Sequence, residues 1–288
     1  MKICYDRVVN FRLEERETMY QRKLDLHVHT DNSPDGNHSA MFLCEQAEFE
    51  GMRAIALTDH CETDVYRAEH FDKRVQAAFM EATMAQSAFR GKVLVLRGIE
   101  LGQPHYDVKT AEEILSARPY DVVIGSVHNL RGRQDFYFME SFDPAEVHAI
   151  LTEYFDEILQ MLEWGNFDVL AHLTYPLRYF YAKSGISVDL ADYKQQVDEI
   201  LLRTAQLQKA LEINTAGLRQ PIGKLSPEFE TVKRFRELGG KYVTYGSDAH
   251  YAEHIGAGLT EAYDVMRAAG FSELTFFQQR TPLQMPIE

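Results

Sequence analysis

Histidine and carboxylate side chains stand at the ends of short apolar segments throughout this sequence. Imidazole nitrogens and carboxylate oxygens are common ligands of divalent metal ions in proteins. The residues at these positions are His27, His29, His60, Glu100, His128, His172, Asp248 and His250. One further segment ends in Asn214 and is followed by a loop that contains Arg219. Because the feature recurs from segment to segment, the pattern predicts a site for more than one metal ion.

Two pairs of these residues have a spacing that suits a shared ion. His27 and His29 are separated by one residue, and so are Asp248 and His250. Side chains at positions i and i+2 of a β-strand project from the same face, so both members of a pair can bind one ion. A single histidine such as His172 is more often a buried or surface residue without a metal. The prediction therefore depends on the joint pattern rather than on any one motif.

The segments that carry these residues alternate with longer helical patterns. The predicted strands cover 24–28, 53–58, 93–99, 121–127, 168–172, 210–214 and 242–246. They are nearly continuous apolar runs, which is typical of parallel strands that are buried on both faces. The predicted helices lie near 39–50, 66–89 and 109–117, from Asp143-Pro144 onward, from about Asp189 onward, and near 227–238 and 259–269.

Strands that alternate with helices predict an α/β fold, in which parallel strands form a barrel inside a ring of helices. An open, doubly wound sheet is the alternative. In a barrel, functional residues lie at the C-terminal ends of the strands, which is where the histidines and carboxylates occur. No linker rich in Pro, Gly or Ser interrupts the pattern. The sequence therefore predicts one domain, residues 24–288, after an N-terminal extension at residues 1–23.

Composition limits the classes of partner. The chain has 288 residues, with 30 Lys and Arg against 44 Asp and Glu, which gives a formal charge of −14. This balance argues against sequence-independent binding of nucleic acid, although bound metal ions can still attract an anionic substrate. No apolar run approaches the roughly 20 residues of a membrane span. The three cysteines, Cys4, Cys44 and Cys61, form no CxxC pair, so we expect a cytoplasmic protein. The oligomeric state stays open.

Seven stretches of this sequence resemble the PHP (polymerase and histidinol phosphatase) superfamily, and within it the histidinol-phosphatase branch. They are DLHVHTDNSPDG, ALTDHCE, GIELG, GSVHN, AHLTYP, LEINTAGLRQP and YGSDAHYAEHIG, and they span residues 24 to about 258. The order HxH, DH, E, H, H and DxH is a specific signature of the superfamily. The stretch INTAGLR points more narrowly to the histidinol-phosphatase branch.

The resemblance implies a distorted (β/α)7 barrel, TIM-like in plan, with three divalent metal ions (Zn, Mn or Fe). By motif, one ion would take His27, His29, Glu100 and Asp248; a second would take Glu100 as a bridge, His128 and His172; the third would take Asp35, His60 and His250. Asp35 stands where some relatives have histidine. Its carboxylate keeps a ligand but favours Mn or Fe over softer metals.

The resemblance also implies hydrolysis of a small phosphate monoester, L-histidinol phosphate, in histidine biosynthesis. Glu100, Asp248 and His250 are the candidate catalytic residues. Phosphate recognition suits arginine, whose guanidinium offers a planar fork of donors. The candidates for substrate binding are Arg219 in INTAGLR, Arg178 on the loop after the fifth strand, and His254.

Three other functions compete with this interpretation. Another PHP phosphoesterase would act on nucleotides, oligonucleotides, sugar phosphates or phosphotyrosine, but the acidic balance disfavours polynucleotides. An amidohydrolase-type deaminase or lactonase normally needs a lysine after a middle strand, where this chain has Glu100. A non-catalytic, metal-binding module is disfavoured because every ligand position is filled.

Overall fold

The structure is a computed structural model that describes residues 23–287. Apart from Lys23, the predicted extension lies outside the described residues. The strands are β1 (Leu24–Val28), β2 (Ala54–Leu57), β3 (His60–Glu62), β4 (Leu94–Gly102), β5 (Val122–Ser126), β6 (Val169–Leu170), β7 (Ala210–Asn214), β8 (Val243–Gly246), β9 (Glu273–Gln278) and β10 (Thr281–Pro286). The helices are α1 (Ala40–Phe49), α2 (Phe71–Ala88), α3 (Val108–Ser116), α4 (Pro144–Trp164), α5 (Tyr175–Ser184), α6 (Lys194–Gln206), α7 (Phe229–Glu237) and α8 (Leu259–Ala268).

Seven parallel strands form a barrel that is nearly closed. Their order is β1-β2-β4-β5-β6-β7-β8, and the short β3 pairs with β4 beyond the end of β2. The first and last strands meet where the Asp248 amide donates to the His27 carbonyl at 2.9 Å and the His29 amide donates to the Ala249 carbonyl at 2.9 Å. The predicted α/β barrel is confirmed, and every predicted strand has its counterpart in it.

The helices pack their apolar faces on the outside of the barrel. Helix α4 begins where predicted, because the Asp143 side chain accepts from the Ala145 amide and Pro144 occupies the first turn. It ends at Gly165, whose φ of 67° is the left-handed conformation that stops a helix at low cost. Among the described residues, no helix is both long enough and apolar enough to cross a membrane.

Helix α5 was not predicted, and it corrects the placement of Arg178. The predicted position of this residue was a loop, whereas it lies near the start of α5 and is buried. The helix is short, and its N-cap residue Thr174 makes no side-chain capping bond. Its sequence, YPLRYFYAKS, has little amphipathic periodicity, and the signals that it does carry are Pro176 in the first turn and Gly185 at the C-cap.

The hairpin of β9 and β10 was also not predicted. Its two-residue turn, Gln279-Arg280, has φ values of 49° and 62°, the backbone that tight hairpins require. The residues usually found there, Asn and Gly, are absent, so the turn gives no sequence signal. Arg280 donates to both carboxylate oxygens of Asp168, and its amide donates to the Asp121 carbonyl. The hairpin therefore closes the N-terminal end of the barrel near β5 and β6.

Replacing Arg280 by Ala is expected to lower the free energy of unfolding by about 1–3 kcal/mol, because the buried carboxylate of Asp168 loses its cation. Urea denaturation at neutral pH measures the change. Arg133→Ala is the control, since Arg133 pairs with Glu153 at the surface and its loss should cost less than about 1 kcal/mol. Equal losses in the two variants would contradict a role for Arg280 in fixing the hairpin.

Candidate metal centre

All nine predicted ligand residues meet at the C-terminal end of the barrel. Each side chain extends from a strand end or from the loop that follows it, as the barrel geometry requires. His27, His29, Glu100, His128, His172 and Asp248 are buried, whereas His60, His250 and Asp35 are partly exposed. These three partly exposed residues lie at the mouth of the site.

The carboxylate of Glu100 lies at the centre of the site. Its Oε2 atom is 3.3 Å from His27 Nε2 and 2.9 Å from His60 Nδ1. Its Oε1 atom is 3.1 Å from His128 Nε2 and 2.9 Å from His172 Nε2. The two oxygens therefore face different imidazoles, so Glu100 would be able to serve two ions at once.

Asp248 and Asp35 complete the site toward the solvent. Asp248 Oδ1 is 3.4 Å from His29 Nε2 and 3.6 Å from His250 Nδ1. Asp35 Oδ2 is 3.1 Å from His250 Nε2, and Asp35 Oδ1 is 3.7 Å from His60 Nε2. Asp35 therefore lies beside His60 and His250, and their binding of one shared ion stays a prediction.

The donor atoms fit divalent ions. In three overlapping triads, the possible ligand atoms lie within 4.8 Å of one another: His27, His29 and Glu100; His29, His60 and His250; His60, Glu100 and His128. Several of these buried atoms make no hydrogen bond among the described residues, namely His27 Nε2, His29 Nε2, His60 Nδ1, Glu100 Oε2 and His250 Nε2. Buried polar atoms are normally paired, so their common direction indicates a place for cations. The assignment of each ligand to one ion stays a prediction.

The charges of the site favour ionised carboxylates. Burial would raise the pKa of Glu100, but the neighbouring His27, His60 and His128 hold this pKa well below its usual value. The pKa of Asp248 is likewise well below its usual value, because His27, His29 and Arg178 outweigh the effect of burial. Both carboxylates are therefore anionic at neutral pH, as ligands of a cation must be.

Glu212 orients His27 and was not found from the sequence. Its Oε1 atom is 2.6 Å from His27 Nδ1, so the opposite ring nitrogen, Nε2, points at Glu100. Its Oε2 atom accepts from the His172 amide at 2.8 Å. A Cβ at Gly246 would lie 2.2 Å from Glu212 Oε1, so glycine is required there. The available signal was an acidic residue in the middle of the apolar strand ALEIN.

Glu62 and Gln103 hold His128 in position, and neither residue was predicted from the sequence. Glu62 Oε1 is 3.0 Å from His128 Nδ1. Gln103 accepts from the His128 amide at 2.7 Å and donates to Glu62 Oε2 at 2.8 Å. Carboxylates that bind the second nitrogen of a ligand histidine fix its orientation and raise its basicity. The side chain of Gln103 thus links Glu62 to the backbone of His128.

Two acidic residues beside the ligands hold loops rather than histidine rings. Asp59 accepts from the Thr30 amide at 2.7 Å and from Ser33 Oγ at 2.7 Å, and Ser33 Oγ lies 3.1 Å from His29 Nδ1. Asp25 accepts from the amides of Ser247 and Gly256. These contacts fix the loops after β1 and β8, so the ligands on those loops are held in place.

Asp248 has a backbone conformation that is rare for its residue type. Its φ is 55°, in the left-handed region, which costs energy for residues other than glycine. The bond from its amide to the His27 carbonyl holds this conformation. The turn directs the carboxylate toward His29 and Arg178, on the inner side of the site.

The three residues predicted to bind substrate lie at the edge of the same site. Arg178 Nη1 is 3.3 Å from Asp248 Oδ2, and its buried Nε makes no hydrogen bond to any residue of 23–287. Arg219 donates from Nη2 to the Ser247 carbonyl at 2.6 Å, and its buried Nη1 likewise has no partner within that range. His254 is partly exposed, and burial together with the charge of Arg219 lowers its pKa.

The fold and the site together define an α/β barrel whose C-terminal end holds a cluster of histidines and carboxylates suited to divalent ions. The model of the PHP domain family matches residues 25–216. The chain belongs to the PHP domain family, and the predicted family is confirmed.

Curated relatives cover nearly the whole chain. The histidinol-phosphatase of Lactococcus lactis is 28% identical over 266 residues, which is 89% of this chain and 94% of the relative. The probable histidinol-phosphatase of Thermotoga maritima is 30% identical over 251 residues, which is 87% of this chain and 94% of the relative. The predicted enzyme class, a phosphoric monoester hydrolase, is confirmed by these relatives.

Two solved structures have the same fold. The histidinol phosphate phosphatase of Lactococcus lactis, in complex with Zn, L-histidinol and phosphate, superposes with a TM-score of 0.71 at 24% identity and covers 91% of this chain and 99% of its own. The putative histidinol phosphatase of Listeria monocytogenes has a TM-score of 0.71 at 19% identity and covers 83% of this chain and 99% of its own. The distorted barrel expected from the resemblance is confirmed.

Proposed function

We propose that this protein is a metal-dependent phosphatase that hydrolyses L-histidinol phosphate to L-histidinol and phosphate. The observation that carries the proposal is the position of Glu100, whose two carboxylate oxygens face separate histidines at the centre of the site. The names of the relatives from Lactococcus lactis and Thermotoga maritima support the substrate. We place the reaction in the cytoplasm, where the free thiols of Cys44 and Cys61 would stay reduced.

The site would hold three divalent ions, of Zn, Mn or Fe. We assign one ion to His27, His29, Glu100 and Asp248, a second to Glu100, His128 and His172, and a third to Asp35, His60 and His250. Divalent ions at these positions would activate a water molecule for in-line attack on phosphorus and offset the charge of the phosphoryl oxygens.

The residues of the chain would align the reacting groups. Glu100 and Asp248 are anionic and buried, so they fix the positions of cations without needing to lose a proton first. His250, at the mouth of the site, is the third candidate catalytic residue, and it would contact the incoming ester. Arg178 and Arg219 each carry a buried guanidinium nitrogen that makes no hydrogen bond within the described part of the chain, which suits them to bind phosphoryl oxygens. We assign His254 to the rim that contacts the substrate.

Steady-state turnover on L-histidinol phosphate tests the proposal. The enzyme, supplied with Mn or Zn, is compared on this ester and on a panel of sugar phosphates and nucleotides. We expect kcat/KM for L-histidinol phosphate to exceed every other value by at least about tenfold. Turnover of the panel but not of L-histidinol phosphate would assign the chain to another activity of the family. No turnover and no bound metal would favour a non-catalytic module.

Replacing Arg178 by Met is expected to raise KM for the phosphate ester by at least about tenfold, because a charge-assisted contact with the phosphoryl group is lost. Metal content, measured by elemental analysis, should stay at the wild-type level. Arg131→Met is the matched control. Arg131 stacks on the Tyr106 ring as Arg178 stacks on the Tyr175 ring, but it lies outside the ligand cluster. Loss of metal in the Arg178 variant would instead give this residue a purely structural role beside Asp248.

A further inference from the structure

Strand β7 ends in a residue that the proposed mechanism does not use. The strands beside it lead into His172 and Asp248, whereas β7 ends in Asn214. The side chain of Asn214 is fully buried, and it projects from the same face of the strand as Glu212, two positions earlier. A buried amide requires hydrogen-bond partners, so the groups that it contacts indicate what it does at this end of the barrel.

The side-chain amide of Asn214 lies between two carboxylates and a backbone N–H. Its Nδ2 atom donates to Asp248 Oδ2 at 3.3 Å and to Glu212 Oε2 at 3.2 Å. Its Oδ1 atom accepts from the Ala216 amide at 3.0 Å. Ionised carboxylates only accept and a backbone N–H only donates, so these three partners fix the orientation of the amide. Both polar atoms of the side chain are therefore in use.

Asp248 presents its two carboxylate oxygens to different groups. Oδ2 accepts from Asn214 Nδ2 and from Arg178 Nη1, at 3.3 Å in each case. Oδ1 lies 3.4 Å from His29 Nε2 and 3.6 Å from His250 Nδ1. The bond from Asn214 thus holds the carboxylate with one oxygen toward the imidazoles and the other toward the guanidinium of Arg178.

The backbone of Asn214 also supports the start of helix α5, which carries Arg178. Ser226 exchanges two backbone hydrogen bonds with Asn214, at 2.9 and 3.0 Å. The Ser226 Oγ atom accepts from the Thr174 amide at 3.1 Å and lies 2.7 Å from Thr174 Oγ1. Thr174 is the N-cap residue of α5. Asn214 is therefore connected to Arg178 by two routes, through Asp248 and through the first turn of the helix.

We propose that Asn214 is a positioning residue for phosphate binding, because its amide N–H holds Asp248 in the orientation that directs Arg178 toward the phosphoryl group. The inference rests on the proposed phosphatase function and deepens it, because it names the residue that positions the candidate phosphate ligand. A carboxylate at position 214 would face the oxygens of Asp248 and Glu212 and repel them. A neutral donor is therefore required at this strand end.

Asn214→Asp tests the role of the donor. The substitution keeps the shape of the side chain and the oxygen that accepts from the Ala216 amide, but the ionised carboxylate cannot donate to Asp248. Calorimetric titration of the metal-loaded protein with inorganic phosphate should give a Kd at least about tenfold above the wild-type value, since hydrogen bonds to charged groups contribute about this much. An unchanged Kd would mean that Asn214 serves only the turn at Ala216, and it would overturn the proposal.

A double-mutant cycle tests whether the effect passes through Arg178. In the Arg178→Met background, Asn214→Asp should change the Kd of phosphate by less than about twofold, because the guanidinium that Asn214 positions is absent. A change of about tenfold in both backgrounds would show that the added charge repels phosphate directly. That result would refute the positioning role.

Asn166→Asp is the matched control. The amide of Asn166 also donates to a carboxylate, that of Glu112, and accepts from Arg280 at 2.8 Å, but it lies outside the ligand cluster. This variant should leave the Kd of phosphate unchanged. Elemental analysis should find the wild-type metal content in Asn214→Asp. Loss of metal from that variant would also overturn the proposal, since phosphate affinity would then fall without any change at Arg178.

Phosphate binding separates this inference from the proposed function. If no ester is hydrolysed but the Kd of phosphate rises in Asn214→Asp as expected, the proposed function fails and the positioning role remains. If L-histidinol phosphate is hydrolysed but the Kd is the same in this variant and the wild type, the positioning role fails and the proposed function remains. A wild-type protein that neither binds phosphate nor hydrolyses the ester would contradict both.

Discussion

Replacing Glu100 by Gln is expected to remove bound metal and to lower kcat/KM by about a thousandfold or more. The substitution keeps the shape of the side chain but deletes the negative charge that five histidines face. Loss of a single preorganised electrostatic group commonly costs two to three orders of magnitude, and Glu100 would also bridge two ions. Elemental analysis and steady-state kinetics measure the two effects.

Thermal unfolding gives a readout of the same substitution that does not depend on turnover. A ligand that binds only the folded state raises Tm, so a chelator should lower Tm of the wild-type protein. The Glu100→Gln variant should unfold at the same temperature with or without the chelator. Glu113→Gln is the control, since Glu113 is exposed on α3 and pairs only loosely with Lys109. A variant at position 100 that keeps its metal and its activity would refute the proposed centre.

Replacing Glu212 by Gln is expected to weaken metal binding by about 10- to 100-fold, the usual cost of losing the partner of a ligand histidine. Glu212 Oε1 is 2.6 Å from His27 Nδ1, and its charge raises the pKa of this histidine against the effect of burial. The neutral amide can still fill the space beside Gly246, but it orients and polarises the ring less. Competition with a chromogenic chelator measures the change in affinity.

The control for this variant is Glu230→Gln, at an exposed position on α7. It should leave the affinity for metal unchanged. If Glu212→Gln also bound metal as tightly as the wild type, Glu212 would serve only to pair with the His172 amide. Loss of folding, detected by circular dichroism, would show instead that the buried carboxylate stabilises the barrel.

The candidate metal ligands were predictable from the sequence, because successive side chains of a strand alternate between its two faces. His27 and His29 share a face in any strand, and Glu100, His128 and His172 each end an apolar run, so a barrel had to bring them together. The sequence likewise predicted the start of α4, since a capping residue followed by proline acts locally. These features depend on neighbours within a few positions along the chain.

The partners of the ligands were not predictable in the same way. Glu212 and Gln103 act across strands, on His27 and His128, and each contact depends on the register between strands that lie far apart in sequence. The ring orientation of His60 was also not predictable. Its Nδ1 lies 2.9 Å from Glu100 Oε2, and its Nε2 lies 3.7 Å from Asp35 Oδ1. Grouping ligands around one ion needs ring orientations, which the order of motifs does not contain.

The sequence by itself determined the order of strands and helices and the set of metal-type side chains, because apolar runs and helical periodicity are local properties of the chain. The order of its motifs also identified the family. Only the tertiary structure decided that Glu212 orients His27 and that helix α5 carries Arg178 to Asp248. It also showed that Arg280 brings a hairpin to the opposite end of the barrel. These features arise from contacts between segments distant in sequence. Their geometry is set by packing and register, which no single stretch of residues encodes.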